Sequence, residues 1–212
     1  MSLVWRDIAV LSQGGRALAL SCFFLVLAAS LFPFAVGPDA KLLSAIAPGV
    51  HWLLALFLAV LHGERIFVED EQDGSLEQLR ALGFAEGSLM FSRIVAHWVI
   101  AFAPQIALTV VVDIFLGAGL ASAGQHMLSL LIGTPALSCL AVLAAALTLG
   151  ARQSSLLMIV IVFPLMIPPL IFGVSAAADS GSAALMLLGA SSLISLVIAP
   201  LAGHFALKAA LK

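Results

Sequence analysis

Few residues of this sequence have side chains that can do chemistry, and they fall into three groups. The first is a run of acids in "VEDEQDGSLEQLRALG", Val68 to Gly83, which holds Glu69, Asp70, Glu71, Asp73 and Glu77 of only 11 acidic residues in the chain. The second is a row in one apolar stretch, His97, Gln105, Thr109 and Asp113, at steps of four with Ala101 in the gap. The third is the other histidines, His51, His62, His126 and His204.

A polar row inside a membrane helix can conduct protons or ions, since intramembrane polar groups face protein or water rather than lipid. Each step of four drifts about 40° round the helix, so this row winds. The expected reading is helix packing, with Asp113 reaching the outer interface and His97 the inner one. Histidine also ligates metals and haem iron. Here the five are well separated and show no ligand spacing, so they are expected to be structural, with no metal ligand and no cofactor ligand in this chain. Cys22 and Cys139 lie singly in apolar runs without a CxxC pair and read as buried small hydrophobes.

No energy source is visible. A Walker A loop needs Gly-Lys followed by Ser or Thr to cradle phosphate, and Lys41, Lys208 and Lys212 lack that context. There is no nucleophile elbow and no HExxH, so no catalytic residue is expected.

The acidic segment carries more local signal. Ser75 followed by Gln78 fits a capping box. Glu77 in the first turn and Arg80 in the last both favour the helix dipole, and Gly83 can supply a left-handed ending. Leu76, Leu79 and Leu82 form one apolar ridge. Two turns are unstable alone in water, so the ridge needs cover. A groove on a partner would provide it, and so would the chain's own membrane domain or the lipid surface. The expectation adopted is a docking helix for an ATPase in another chain, built on Glu69, Asp73, Gly74, Ser75, Leu76, Glu77, Gln78 and Leu79.

The elements that must position these groups follow from composition. The sequence is 63% hydrophobic and 9% charged, with a net charge of −2 and a mean hydropathy of +1.20. A soluble domain carries about 25% charged residues, so a water-exposed surface cannot be built, and nothing points to nucleic acid. Six apolar runs, 17–36, 46–66, 94–118, 127–150, 155–177 and 183–207, are near or above the roughly 20 residues a membrane helix needs. The first is too long for a signal-peptide core, and Pro33 and Phe34 stand where a cleavage site would be, so it reads as a retained span.

With the N-terminus cytoplasmic, Arg6, Arg16, Arg65, Arg80, Arg93, Arg152, Lys208 and Lys212 fall inside and only Lys41 outside. Both termini and the acidic segment are then cytoplasmic. The result is one transmembrane domain over 1–212, with an interfacial helix at 1–14 and a cytoplasmic coupling loop at 67–93. Prolines punctuate the spans, and "FPLMIPPLIF" in the fifth is expected to be bent or locally broken.

The stretches "LFPFAVGPDAKLLSAIAPGVHWLLAL", "RIFVEDEQDGSLEQL", "AHW" and "GTPAL" together resemble the heme exporter protein B family, the ABC permease subunits of bacterial cytochrome c maturation. "DGSLEQL", Asp73 to Leu79, is the most specific piece. The resemblance implies an all-α polytopic protein of six transmembrane helices with an ABC-2-like exporter permease fold, in the bacterial inner membrane. It implies as partners a cytoplasmic ABC ATPase dimer, a haem-handling membrane subunit, a further small membrane subunit and a periplasmic haem chaperone. ATP would bind the ATPase and haem the partner subunits, with hydrolysis linked to release of the haem-loaded chaperone. On the residues alone, a permease of another ABC exporter for lipid or drug, or a self-contained ion-coupled carrier or channel, stays open.

Overall fold

The computed structural model describes residues 2–149, 154–178 and 182–210. In chain order the helices are α1 (Leu3–Ser12), α2 (Arg16–Val36), α3 (Ala40–Gly63), α4 (Val68–Gln72), α5 (Ser75–Ala81), α6 (Glu86–Ala107), α7 (Thr109–Phe115), α8 (Leu120–Leu147), α9 (Ser154–Ala178) and α10 (Ser182–Ala210). No strand occurs among the described residues. Six of the helices, α2, α3, α6, α8, α9 and α10, are long and apolar enough to cross a membrane. The end of the bundle carrying α4 and α5 is called inner below, and the opposite end outer.

Five of the six apolar runs each form one long helix and the third forms two, and several begin earlier than hydropathy alone indicates. The second span starts at Ala40 because Asp39 caps it, accepting from the amides of Lys41 (2.9 Å) and Leu42 (3.2 Å). The third starts at Glu86, so the loop before it ends sooner than 93. The prolines of the fifth span do not break it. α9 runs uninterrupted through Pro164, Pro168 and Pro169, since an apolar surround offers the backbone no alternative hydrogen-bond partners.

The interruption falls instead in the third span, where α6 and α7 meet at Leu108, four residues after Pro104. Pro104 lacks the N–H that would bond the Ile100 carbonyl. The Ser21 hydroxyl of α2 donates to that carbonyl at 3.1 Å and replaces it.

The bundle is built around α8, which packs against α3, α6, α7, α9 and α10. Burial is concentrated on α3, α6 and α8, whereas α2 and α10 turn large apolar side chains such as Phe23, Phe34, Val197 and Phe205 outward. That inversion is what a chain solvated by lipid requires. In the centre, the Trp52 indole lies against Gly133 of α8 and Gly173 of α9, and donates to Ser129 Oγ at 3.3 Å.

α1 does not merely lie at a surface. It packs along α6 and buries Asp7 completely, while Trp5 stays exposed.

Candidate functional site

The segment between α3 and α6 folds into two short helices. α5 is entered through Gly74, whose φ of 73° is left-handed. This turn overturns the capping box: Ser75 is the first helical residue, and its amide donates to Asp73 Oδ1 at 2.8 Å. With Gly74 at the N-cap the serine hydroxyl has no capping position, and the Asp73 carboxylate, a charge-assisted acceptor, takes the Ser75 amide instead. Hydrogen bonds from the Ser75 side chain and then its backbone hold the Asp73 carboxyl below its usual pKa. Glu77 and Arg80 sit in the first and last turns as expected, and Gly83, with φ of 84°, ends the helix.

The cap sets a pH window. A depressed carboxylate pKa adds stability above the unfolded value, near 4, and loses it as pH falls through the lower folded value. Amide-exchange protection of 75–78, corrected for intrinsic exchange, is therefore expected to stay flat from about pH 8 to 5 and to fall only below about 4. Asp73→Ala should lower it at every pH, most at the Ser75 amide, and Asp73→Asn should keep most of it.

The leucine ridge is corrected by the structure. Leu76 is 1% and Leu79 7% exposed, both within the chain's own apolar core. Neither is offered to a partner. What faces outward is Leu82 (75% exposed) and Phe84 (41%), flanked by Glu77, Gln78 and Ala81. The Glu69 side chain lies outside the described set.

A buried ionic cluster, which sequence reasoning missed, pins this segment to the bundle. Asp70 of α4 pairs with Arg93 Nη2 of α6 and accepts from Arg6 Nη2 of α1 at 3.1 Å. Asp7 of α1 lies 3.5 Å from Arg93 Nε and accepts from the Ser92 hydroxyl and from Arg6 Nη1 at 2.9 Å. Two arginines face two aspartates, so formal charge balances. Arg93 also lies over the Phe67 ring, 5.7 Å from its centroid. At the start of α6, Glu86 stands 3.6 Å from Arg80 and 3.5 Å from His204, linking α5 to α10. The available signal was the rarity of charge: three of these groups flank apolar runs at the same end.

The polar row is buried from His97 to Asp113, and all of it but Thr109 hydrogen-bonds to other spans. His97 Nε2 donates to the Ala59 carbonyl at 3.1 Å, and Nδ1 accepts from Ser138 at 3.0 Å. Gln105 Nε2 donates to the His51 carbonyl at 2.7 Å, and Thr109 to the Gln105 carbonyl at 3.1 Å.

At the outer end of the row the separation of the histidines in sequence proves misleading. His51 Nε2 and His126 Nδ1 both lie 2.8 Å from Asp113 Oδ1. Asp113 and both rings are buried within the bundle. The ring centroids are 4.8 Å apart, which leaves no gap for a porphyrin between them. His62 is bonded to Ser21 Oγ at 2.7 Å.

Beside this geometry stands a family match that covers almost the whole sequence. The model of the CcmB protein family covers residues 1–211. The chain belongs to the CcmB family. Its relatives include heme exporter protein B of Bradyrhizobium diazoefficiens, 40% identical over 98% of this chain and 96% of the relative. Heme exporter protein B of Haemophilus influenzae is 35% identical over 100% and 96%, and that of Escherichia coli K12 35% over 99% and 98%. The likeness carried by "DGSLEQL" thus extends to both ends. As a CcmB-family chain with six apolar helices, it is a multi-pass membrane protein.

Proposed function

We propose that this chain is the permease subunit of an ATP-driven complex for cytochrome c maturation in the bacterial inner membrane. In this reading a cytoplasmic ABC ATPase dimer docks on the segment 64–85, and hydrolysis there drives release of a haem-loaded periplasmic chaperone. Haem is held by a separate haem-handling membrane subunit, with a small membrane subunit beside it, and not by this chain. The names of the relatives supply the cargo. The supporting observation from this chain is the anchoring of α4 and α5 to α1 and α6 through Asp70, Arg93 and Asp7.

Mechanically, a loose loop would dissipate any push from a partner. Here a push on α5 passes through Gly74 into α4, and from Asp70 into the Arg93 side chain at the inner end of α6. α6 carries the motion to α8 and α10, against which it packs. The face that receives the push is Leu82 and Phe84, with Glu77 and Gln78 beside them.

Both apolar side chains are exposed in this chain, so charging them leaves the fold intact while removing roughly 1.5–3 kcal/mol of partner burial apiece. Leu82→Asp with Phe84→Asp should therefore keep normal expression and thermal stability. Co-purification of the ATPase should drop at least about tenfold, and cytochrome c maturation should fall with it. Leu76→Ala with Leu79→Ala should instead lower stability first, because those side chains are internal. Normal ATPase recovery with the charged double variant would sink the docking face.

A further inference from the structure

Asp113 is buried, and its ion-pair partners among the described residues are two histidines. A carboxylate between two neutral imidazoles leaves one negative charge in an apolar interior, which is costly unless paired. Three buried polar atoms here make no hydrogen bond: Asp113 Oδ2, His51 Nδ1 and Gln105 Oε1. Two are pure acceptors. The third is an acceptor whenever His51 donates through Nε2 to Asp113. Excess acceptors around a net negative charge are chemistry that a cation satisfies.

The geometry points to a divalent transition-metal site of the zinc type, formed by His51 Nε2, His126 Nδ1 and Asp113. One ligand atom from each residue lies within 4.8 Å of the others, and both nitrogens stand 2.8 Å from the same oxygen. Bonds of about 2.0 Å in a tetrahedron put ligand atoms about 3.3 Å apart, so each nitrogen–oxygen separation need open by only about 0.5 Å. Imidazole with one carboxylate suits zinc, cobalt or iron, whereas calcium and magnesium call for oxygen donors.

Binding also accounts for the unused atoms. Each nitrogen that donated to Asp113 must now offer its lone pair, so the ring proton moves to the far nitrogen, with no net proton released. In His51 this makes Nδ1 a donor. Gln105, already bonded to the His51 carbonyl, holds an unused buried acceptor in Oε1. Ligating histidines regularly need such an acceptor for the second N–H. A fourth coordination position remains for water. The ion would clamp α3, α7 and α8 together in the outer half of the bundle.

The full chain, purified in detergent with any metal-affinity tag removed, is titrated with Zn²⁺ and with Co²⁺ alone. One ion per chain is expected, with the intense visible absorption of four-coordinate Co²⁺ and a rise in Tm on adding Zn²⁺. Asp113→Asn and His126→Ala should each weaken binding at least about 100-fold and abolish the Tm shift, while His204→Ala at the inner end changes neither. Binding below one ion per chain, binding that survives Asp113→Asn, or a six-coordinate Co²⁺ spectrum on the wild-type chain would overturn the site. The wild-type spectrum decides even where a variant fails to fold.

Discussion

Arg93→Met is expected to destabilise the chain by about 3–5 kcal/mol, because removing one partner of a buried ion pair strands the other charges. Arg93 is 1% exposed, and it faces Asp7 and Asp70, both buried. Arg6 cannot replace it: it is partly exposed and already engages the Oδ1 atoms of both aspartates. Methionine matches the length of the side chain but leaves two carboxylates short of a cation on their Oδ2 side. The measurable consequence is a large fall in Tm in detergent and in the yield of monodisperse protein.

The double variant Arg93→Met, Asp70→Asn leaves Arg6 facing Asp7 alone and should recover most of the loss, since the penalty lies in imbalance. Arg93→Lys should recover little, because an ammonium lacks the planar fork that reaches two carboxylates at once. A double variant as unstable as the single one would mean that Arg93 acts through shape and not charge.

The second large effect lies in the middle of the bundle. A Cβ placed on Gly173 would stand 2.0 Å from Trp52 Cε2 and Cζ2, and one on Gly133 2.3 Å from Cη2. Real Cβ contacts do not come that close, and the obstacle is a rigid indole that is fully buried. Gly173→Ala is expected to cost at least about 1–3 kcal/mol by overpacking. Trp52→Ala should cost about 3–5 kcal/mol through the cavity and the lost indole contacts. Combined, the two should cost less than their sum, since without the indole the new methyl occupies part of the cavity. Thermal melts of the four proteins in one detergent close the cycle. Strict additivity would show that Trp52 and Gly173 do not bear on each other.

The sequence by itself determined that this is a six-span helical membrane protein of the CcmB family. Run length and hydropathy are local quantities, and lipid removes every alternative to the helix for an apolar run of that length. The ends of α5 were legible for the same reason: Gly83 and the placement of Glu77 and Arg80 act within one turn. Its start was misread because the left-handed Gly74 takes the N-cap position, which makes Ser75 the first helical residue and leaves its amide to the Asp73 carboxylate.

Only the tertiary structure decided which distant polar groups meet. His51, Asp113 and His126 stand on three helices, and Asp7, Asp70 and Arg93 on three others; their meeting depends on relative rotation and depth, which no local pattern encodes. The fate of Leu76 and Leu79 was open for a related reason. Their spacing shows that a ridge exists, but burial against the chain's own core or against a partner is a choice between surfaces, made when the ionic cluster fixes the segment in place.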